Sequence, residues 1–408
     1  MEVIFEKAKV ADYDEVMDLG NYVFSHAHRP TDFPSLLPKI CRREYFTESI
    51  HYVARENGKI RAVIGAYPLE LKFSPEISGD SLAGRGIGMV SVHPYCRTKG
   101  YMKELMKMAM NDMRQDGMVF SCLGGQRQRY EYFGFTQAGS SLKFTVDEAN
   151  VKHVLGPGWS TGLSLRPVQA DDEAVLDRIQ ELHNLKKARC ERQREKLYDI
   201  LVSYNAKILA VTENKKFCGY LIYKKSGDYK RDIIVTEINL TDPKLYPEVV
   251  GLLMRENMAG MESKRLAVHV CPHETEKTAA FSGFAEDYSQ SPPFQFAVFD
   301  FCRFIAPFVK LKAGLRNLAK GSFIFQTEGG PKLELAVTKN GASVTEIRDV
   351  NSSHPGSGDP KELYLNSLQA IRFLFSPLAQ ETNPVIRENA FLQSLLPLPL
   401  FFENADMV

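Results

Sequence analysis

Met89-Val90-Ser91-Val92-His93-Pro94-Tyr95-Cys96-Arg97-Thr98-Lys99-Gly100-Tyr101-Met102 reads as a β-strand that runs into a loop and then into a helix. That order suits one kind of ligand. A diphosphate needs several backbone N–H donors converging on it. The first turn of a helix, here from Thr98 through Tyr101 and Met102, supplies donors with no intrahelical partner and the positive end of the helix dipole. Gly100 lets a phosphate approach with no side chain in the way. Arg97 and Lys99 add positive charge. Val90 and Val92 offer main-chain groups to an extended, amide-bearing arm lying beside the strand.

The flanking sequence is mixed α/β. Val3–Lys9 reads as a strand, and Asp12–Phe24 as a helix, with Tyr13, Val16, Met17, Leu19 and Val23 at helical spacing. His51–Arg55 and Ile60–Phe73 form a hairpin, because Asn57-Gly58 supplies the positive φ angles of a tight turn. Gly88–His93 is the next strand. Thr98–Arg114 is a strong helix with Met102, Leu105, Met106, Ala109 and Met113 on one stripe. Met118–Leu123 is a strand, Gln126–Phe133 a short helix, and Leu142–Val146 closes the set. Gly156-Pro157-Gly158-Trp159 is a linker. The pattern then restarts: strand Leu163–Val168, helix Asp171–Cys190, hairpin Lys207–Thr212 and Phe217–Lys224, strand Ile233–Leu240, helix Pro243–Gly260 and strand Arg265–Val270. It reads as a degenerate repeat that lacks the first segment's chemistry. After Ser291-Pro292-Pro293 come strand-like runs at Phe294–Phe301, Ser322–Thr327, Lys332–Thr338 and Ala342–Arg348. A loop at Asn351–Pro360, a helix at Tyr364–Phe375 and an extended tail to Val408 complete a separate α+β unit.

Composition bounds the function. The chain has 408 residues, enough for two or three domains at roughly 150 residues each. Hydrophobic residues make up 44% and charged residues 25%, so each domain can build its own core. The formal net charge of +1 gives no field to gather nucleic acid or an anionic membrane. No segment reaches the ~20 apolar residues of a membrane helix. Met1–Val10 lacks the apolar run of a signal peptide, so a cytoplasmic protein is expected. Seven scattered cysteines without a CxxC pair read as reduced thiols rather than a disulfide framework or zinc site. His26 and His28 stand two apart and do not share a helix face, so no metal site is expected. Gly84-Arg85-Gly86-Ile87-Gly88 precedes a strand instead of linking strand to helix. It fails as a dinucleotide fingerprint and reads as a turn or bulge.

The segment Val90 to Gly100, V-x-V-x-P-x-x-R-x-x-G, resembles the motif by which the GNAT acetyltransferase superfamily binds the pantetheine and pyrophosphate of coenzyme A. It departs only in having Met102 where a small residue is common. The resemblance implies acetyl-CoA as co-substrate, held by Val90, Val92, Arg97, Thr98, Lys99, Gly100, Tyr101 and Met102. Acetyl transfer to an amine makes two proton demands: the ammonium must lose a proton, and the leaving thiolate must gain one. A phenol near the sulfur can serve as the acid, since tyrosine titrates near 10 and a thiol near 8.5. Tyr130 and Tyr132 are both candidates by residue type, and packing against the sheet is the alternative role for either.

The whole layout resembles the Eis (enhanced intracellular survival) family. That implies an α/β (α+β) chain of two GNAT-like mixed-sheet domains, at 1–150 and 160–290, followed by a sterol-carrier-protein-like α+β domain at 291–408. The family's Y-x-x-F-G-[YF] pattern falls on Tyr130-Glu131-Tyr132-Phe133-Gly134-Phe135 and makes Tyr130 the acid. The family uses its C-terminal carboxylate as base, typically on a terminal Phe; here the residue is Val408. The resemblance further implies a small-molecule amine acceptor, such as an aminoglycoside or polyamine, and trimers or hexamers. A second class of function stands beside this one: binding of acyl-CoA or a lipid without turnover.

Overall fold

The computed structural model describes residues 2–27, 30–225, 233–257, 265–347 and 362–408. His28, the end of the expected helix at Gly260 and the stretch Asn351–Pro360 lie outside the described residues. The fold is mixed α/β, built on three mixed sheets. Among the described residues, no helix is long and apolar enough to cross a membrane.

The first sheet holds β1 (Val3–Lys7), β2 (His51–Glu56), β3 (Lys59–Phe73), β4 (Ser81–Val92), β5 (Phe120–Leu123) and β6 (Thr136–Ala138). The β2–β3 hairpin turns at Asn57 and Gly58, with φ of 50° and 80°, as the sequence demands. β4 and β5 run parallel, and their pairing ends at Ile87 opposite Leu123. Parallel neighbours need a crossover, and the helix Tyr101–Gln115 provides it. Its stripe of Leu105, Met106, Ala109 and Met113 is fully buried against the sheet. Each large side chain there contributes roughly 1.5–3 kcal/mol by leaving water.

The second sheet repeats this pattern. Its order runs from Leu163–Pro167 through 207–213, 216–225, 233–240, 265–270 and 141–147 to Asp287–Ser291, and again a single pair, 233–240 with 265–270, is parallel. Two strands join a different sheet or position from the one expected. Ser141–Asp147, expected to close the first set, pairs with Arg265–Val270 in the second sheet. Phe294–Val298 crosses back and fits between β5 and β6 of the first. The first sheet thus completes itself with a strand from beyond the second, which ties the two together.

The remaining differences fall in apolar stretches that a short window cannot assign. The strand-like run Phe294–Phe301 ends at Val298, and a helix occupies Phe301–Leu315, capped by the Asp300 carboxylate on the Arg303 N–H. The helix expected at Asp171–Cys190 stops at Asn184, and Ala188–Cys190 pairs with β3. The tail carries three short helices within 377–395 before extending. One apolar core runs from Phe120 and Cys122 of the first sheet through Phe304 and Phe308 to Phe325, Leu333 and Leu335 of the four-stranded third sheet. Leu395 to Phe402 are built into that core, with Phe402 packed on Phe120 and Phe296. The tail is therefore part of the folded structure and leads the last residues back to the first sheet.

Candidate functional site

Beyond Ile87 and Leu123 the parallel ladder stops, so residues 88–92 of β4 have no partner on that side. A bulge at Met89, with φ of 50°, opposite Ile64 sharpens the divergence. A cleft of about 820 Å³ opens there. Seven of the eight cofactor residues expected from sequence line it: Val90, Val92, Arg97, Thr98, Gly100, Tyr101 and Met102. Gly100 caps the helix Tyr101–Gln115 in the left-handed region, with φ of 81° and no side-chain cap. The N–H groups of the first turn are therefore left for a ligand. A side chain at Gly100 would meet nothing within 4 Å, so the glycine is required here for its backbone angle rather than for room.

Lys99 is the exception. Its ammonium lies 2.7 Å from Glu56 Oε1 at the end of β2, and the pair holds the Glu56 carboxyl below its usual range. The Cys96 thiol donates to the same carboxylate. Lys99 thus anchors the loop and Arg97 remains the exposed cation. Sequence reasoning missed the opposite wall: Val23 and Phe24 from the first helix, and Gln126, Arg129, Tyr132 and Phe133 from the short helix 127–131 and its flanks.

The two phenols of that short helix segment have different surroundings. Tyr132 is 66% exposed on the cleft wall, with Lys103 Nζ 4.7 Å from its ring centre. Tyr130 is 6% exposed and packs in the same core as Ile87, Leu123 and Phe135. Its ring lies against Gly125, where a Cβ would stand 2.5 Å from Cε2. Burial raises the Tyr130 phenol above its ordinary value, and Arg129 partly offsets this. A raised phenol stays protonated at neutral pH, as an acid must.

On another side of β4, a second cleft of about 520 Å³ contains Val408. Val408 lies across Gly86 and Gly88: a Cβ on Gly86 would fall 2.6 Å from Val408 Cγ2, and one on Gly88 would fall 3.4 Å from Val408 Cβ. Gly86 and Gly88 thus sit inside β4, where the sequence suggested a turn or bulge, and make room for the chain's last residue. Three ties hold the end in place. Lys39 Nζ donates to the carbonyls of Ala405 and Met407, both at 2.5 Å. Asp406 meets Arg192, and Glu403 meets Lys186. Arg192 and Lys186 also meet Glu237, on the strand Ile233–Leu240 just past its last parallel partner at Val235. Where the first sheet opens into a cleft, the second is filled by buried ion pairs.

Residues 5–138 match the acetyltransferase (GNAT) domain family. No curated protein sequence matches the chain. Several solved structures share the fold over nearly the full length. One is a protein from Enterococcus faecalis V583 described as of unknown function, a probable N-acyltransferase; it has a TM-score of 0.66 and 14% identity, with 99% of this chain and 100% of that one covered. A GCN5-related N-acetyltransferase from Anabaena variabilis ATCC 29413 has a TM-score of 0.65 and 14% identity, with 98% of each chain covered. Eis1 from Mycobacterium abscessus has a TM-score of 0.62 and 12% identity, with 98% and 99% covered.

Proposed function

We propose, from the GNAT domain match over residues 5–138, that this chain transfers an acetyl group from acetyl-CoA to the nitrogen of a small amine. The observation that carries the reading is the pair of clefts at β4. One presents a helix N-terminus and unpaired strand edge fit for a diphosphate and an amide-bearing arm. The other brings Val408 to Gly86 and Gly88, on either side of the last residue that β4 pairs with β5. In this reading Val90 and Val92 align the pantetheine arm, while Arg97 and the amides after Gly100 hold the pyrophosphate. The Val408 carboxylate takes the proton of the acceptor ammonium, directly or through a water. The amine nitrogen bonds to the thioester carbonyl carbon and the C–S bond breaks. Tyr130 gives its proton to the departing sulfur, the nitrogen's second proton restores the phenol, and the products are an N-acetyl amide and the CoA thiol, with the first proton passing from Val408 to solvent. The Eis resemblance by itself would suggest polycationic amines as acceptors. Thiol release from acetyl-CoA across a panel of amines tests the reading; a folded protein that binds acetyl-CoA and acetylates none would support binding without turnover instead.

Two expectations follow for the site. Acetyl-CoA raises the melting temperature by mass action, and Arg97→Ala weakens its binding by about 1–3 kcal/mol through loss of a charge-assisted contact. Unchanged affinity in the folded variant removes Arg97 from the pyrophosphate site. Tyr130→Phe deletes one hydroxyl and lowers kcat roughly 10²-fold, the lower range for general acid catalysis, while Tyr132→Phe changes it by less than about threefold. The reverse order of effects would move the acid to the exposed phenol.

A further inference from the structure

The acceptor cleft has a charge pattern that narrows the substrate, granted that the second cleft is where the amine enters. Its lining carboxylates are Glu70, Glu191 and Asp406, and its lining cations are Lys39, Arg85 and Lys196. Most of these charges are already engaged. Asp406 is ion-paired with Arg192, and Glu191 with Lys72 at 3.3 Å. Arg85 is held by Asp116 and the carbonyl of Ser49, and Lys39 by the two tail carbonyls. Two side-chain charges remain with neither an ionic partner nor a backbone carbonyl among the described residues. Glu70 meets only the Ser81 hydroxyl. Lys196 has only the face of Tyr45, 4.4 Å from its ring centre. The same lining includes the apolar side chains of Ile50, Leu69 and Ile200.

A polycation gains little from such a cleft. A single ammonium placed toward both the Glu70 carboxylate and that of Val408 uses the two that are free. Each additional ammonium would lose hydration and find only engaged carboxylates and Lys196, and a charge moved from water without a partner is costly. An amine with one ammonium, an apolar body and one anionic group matches all three features. We infer that the acceptor is an amine bearing a carboxylate on an apolar body, an amino acid or short peptide. Its ammonium lies toward Val408 and Glu70, its body against Ile50, Leu69 and Ile200, and its carboxylate at Lys196.

Three acceptors and one variant test this, with thiol release as the readout: 6-aminohexanoate, hexylamine with a similar body and no anion, and the polycation spermidine. Wild-type kcat/KM is expected to rank 6-aminohexanoate above hexylamine by roughly fivefold, the scale of one partly exposed ion pair, and above spermidine. Lys196→Glu reverses a charge beside the anion. It is expected to lower the ratio of kcat/KM for 6-aminohexanoate over hexylamine by about tenfold or more and to raise that for spermidine. A wild-type preference for spermidine, or ratios that do not move in Lys196→Glu, would overturn the inference and leave acetyl transfer standing. Binding of acetyl-CoA with no thiol release for any amine would overturn both.

Discussion

Adding three residues after Val408 is expected to lower acetyl transfer roughly 10³-fold, within the usual range for loss of a general base, while acetyl-CoA still binds. Extension moves the carboxylate and deletes nothing. Lys39 keeps both carbonyls, Arg192 keeps Asp406, and Met407 stays in the core. The added residues must pass along the open cleft beyond Gly86 and Gly88. Removing Met407 and Val408 should have the same effect on turnover, with a smaller margin of stability because the buried Met407 side chain goes too. A free α-carboxylate titrates near 3.5, so it is a weak base for an ammonium in water. Its use depends on a place where the amine is held against it and water is sparse. In the proposed reading that place is the cleft at Gly86 and Gly88. Thiol release measures turnover, and the shift in melting temperature with acetyl-CoA shows that the first cleft is intact. Full turnover in both variants would return the base role to a side chain or a water chain.

The first cleft was the most legible part in the sequence because its pattern is local. A strand, a loop with Arg97 and a glycine opening a helix lie within a dozen consecutive residues, so spacing alone carries the pattern. Lys99 shows where that legibility stops: its charge fits a phosphate equally well, and only its distance to Glu56 assigns it otherwise. The acceptor side depended on long-range contacts. Gly86 and Gly88 are empty of side chains because residue 408 lies on them, and no window around either could show it. The exchange of Ser141–Asp147 for Phe294–Val298 was hidden for a related reason, since an apolar strand carries no mark of which sheet it joins. Beyond the strand-like run Phe294–Phe301 the sequence leaves the Phe301–Leu315 helix unassigned: Phe301, Phe304, Ile305 and Phe308 fall at helical spacing and are buried, but Pro307 interrupts the pattern. The three-part layout came from resemblance and from the restart of the pattern after residue 160. Composition shifts mark the breaks there, but they do not show which strands cross them.

Arg192→Met is expected to destabilise the protein by about 3–5 kcal/mol, the cost of leaving buried charge without its partner. Methionine is shorter but keeps much of the side chain's volume, so lost charge pairing rather than a cavity is the main cause. Arg192 is fully buried. It reaches Glu237 Oε2 at 2.7 Å and Oε1 at 3.2 Å, and Asp406 Oδ1 at 2.7 Å and Oδ2 at 3.1 Å. One guanidinium thus sits between two carboxylates, one from the second sheet and one from the tail. Without it Glu237 keeps Lys186 at 3.5 Å and the Tyr220 and Asn239 donors, while Asp406 loses its ion pair. The effect should depend on pH in a definite direction. Burial alone raises the Glu237 carboxyl; Arg192 and Lys186 overcome it and hold it well below the usual carboxylate range. A carboxyl depressed in the folded state contributes stability above its unfolded pKa, about 4.3, and loses it as pH falls through the folded value. In the variant burial regains weight, the carboxyl rises, and it can take up a proton on folding as the pH drops. The difference in urea unfolding free energy between the two proteins should therefore be largest near pH 7 and narrow toward pH 5. A constant difference across that range would show that Arg192 acts by packing alone. The same variant frees Asp406, so turnover should fall even at temperatures where the protein remains folded, because the tie that brings the chain's end to Gly86 and Gly88 has been cut.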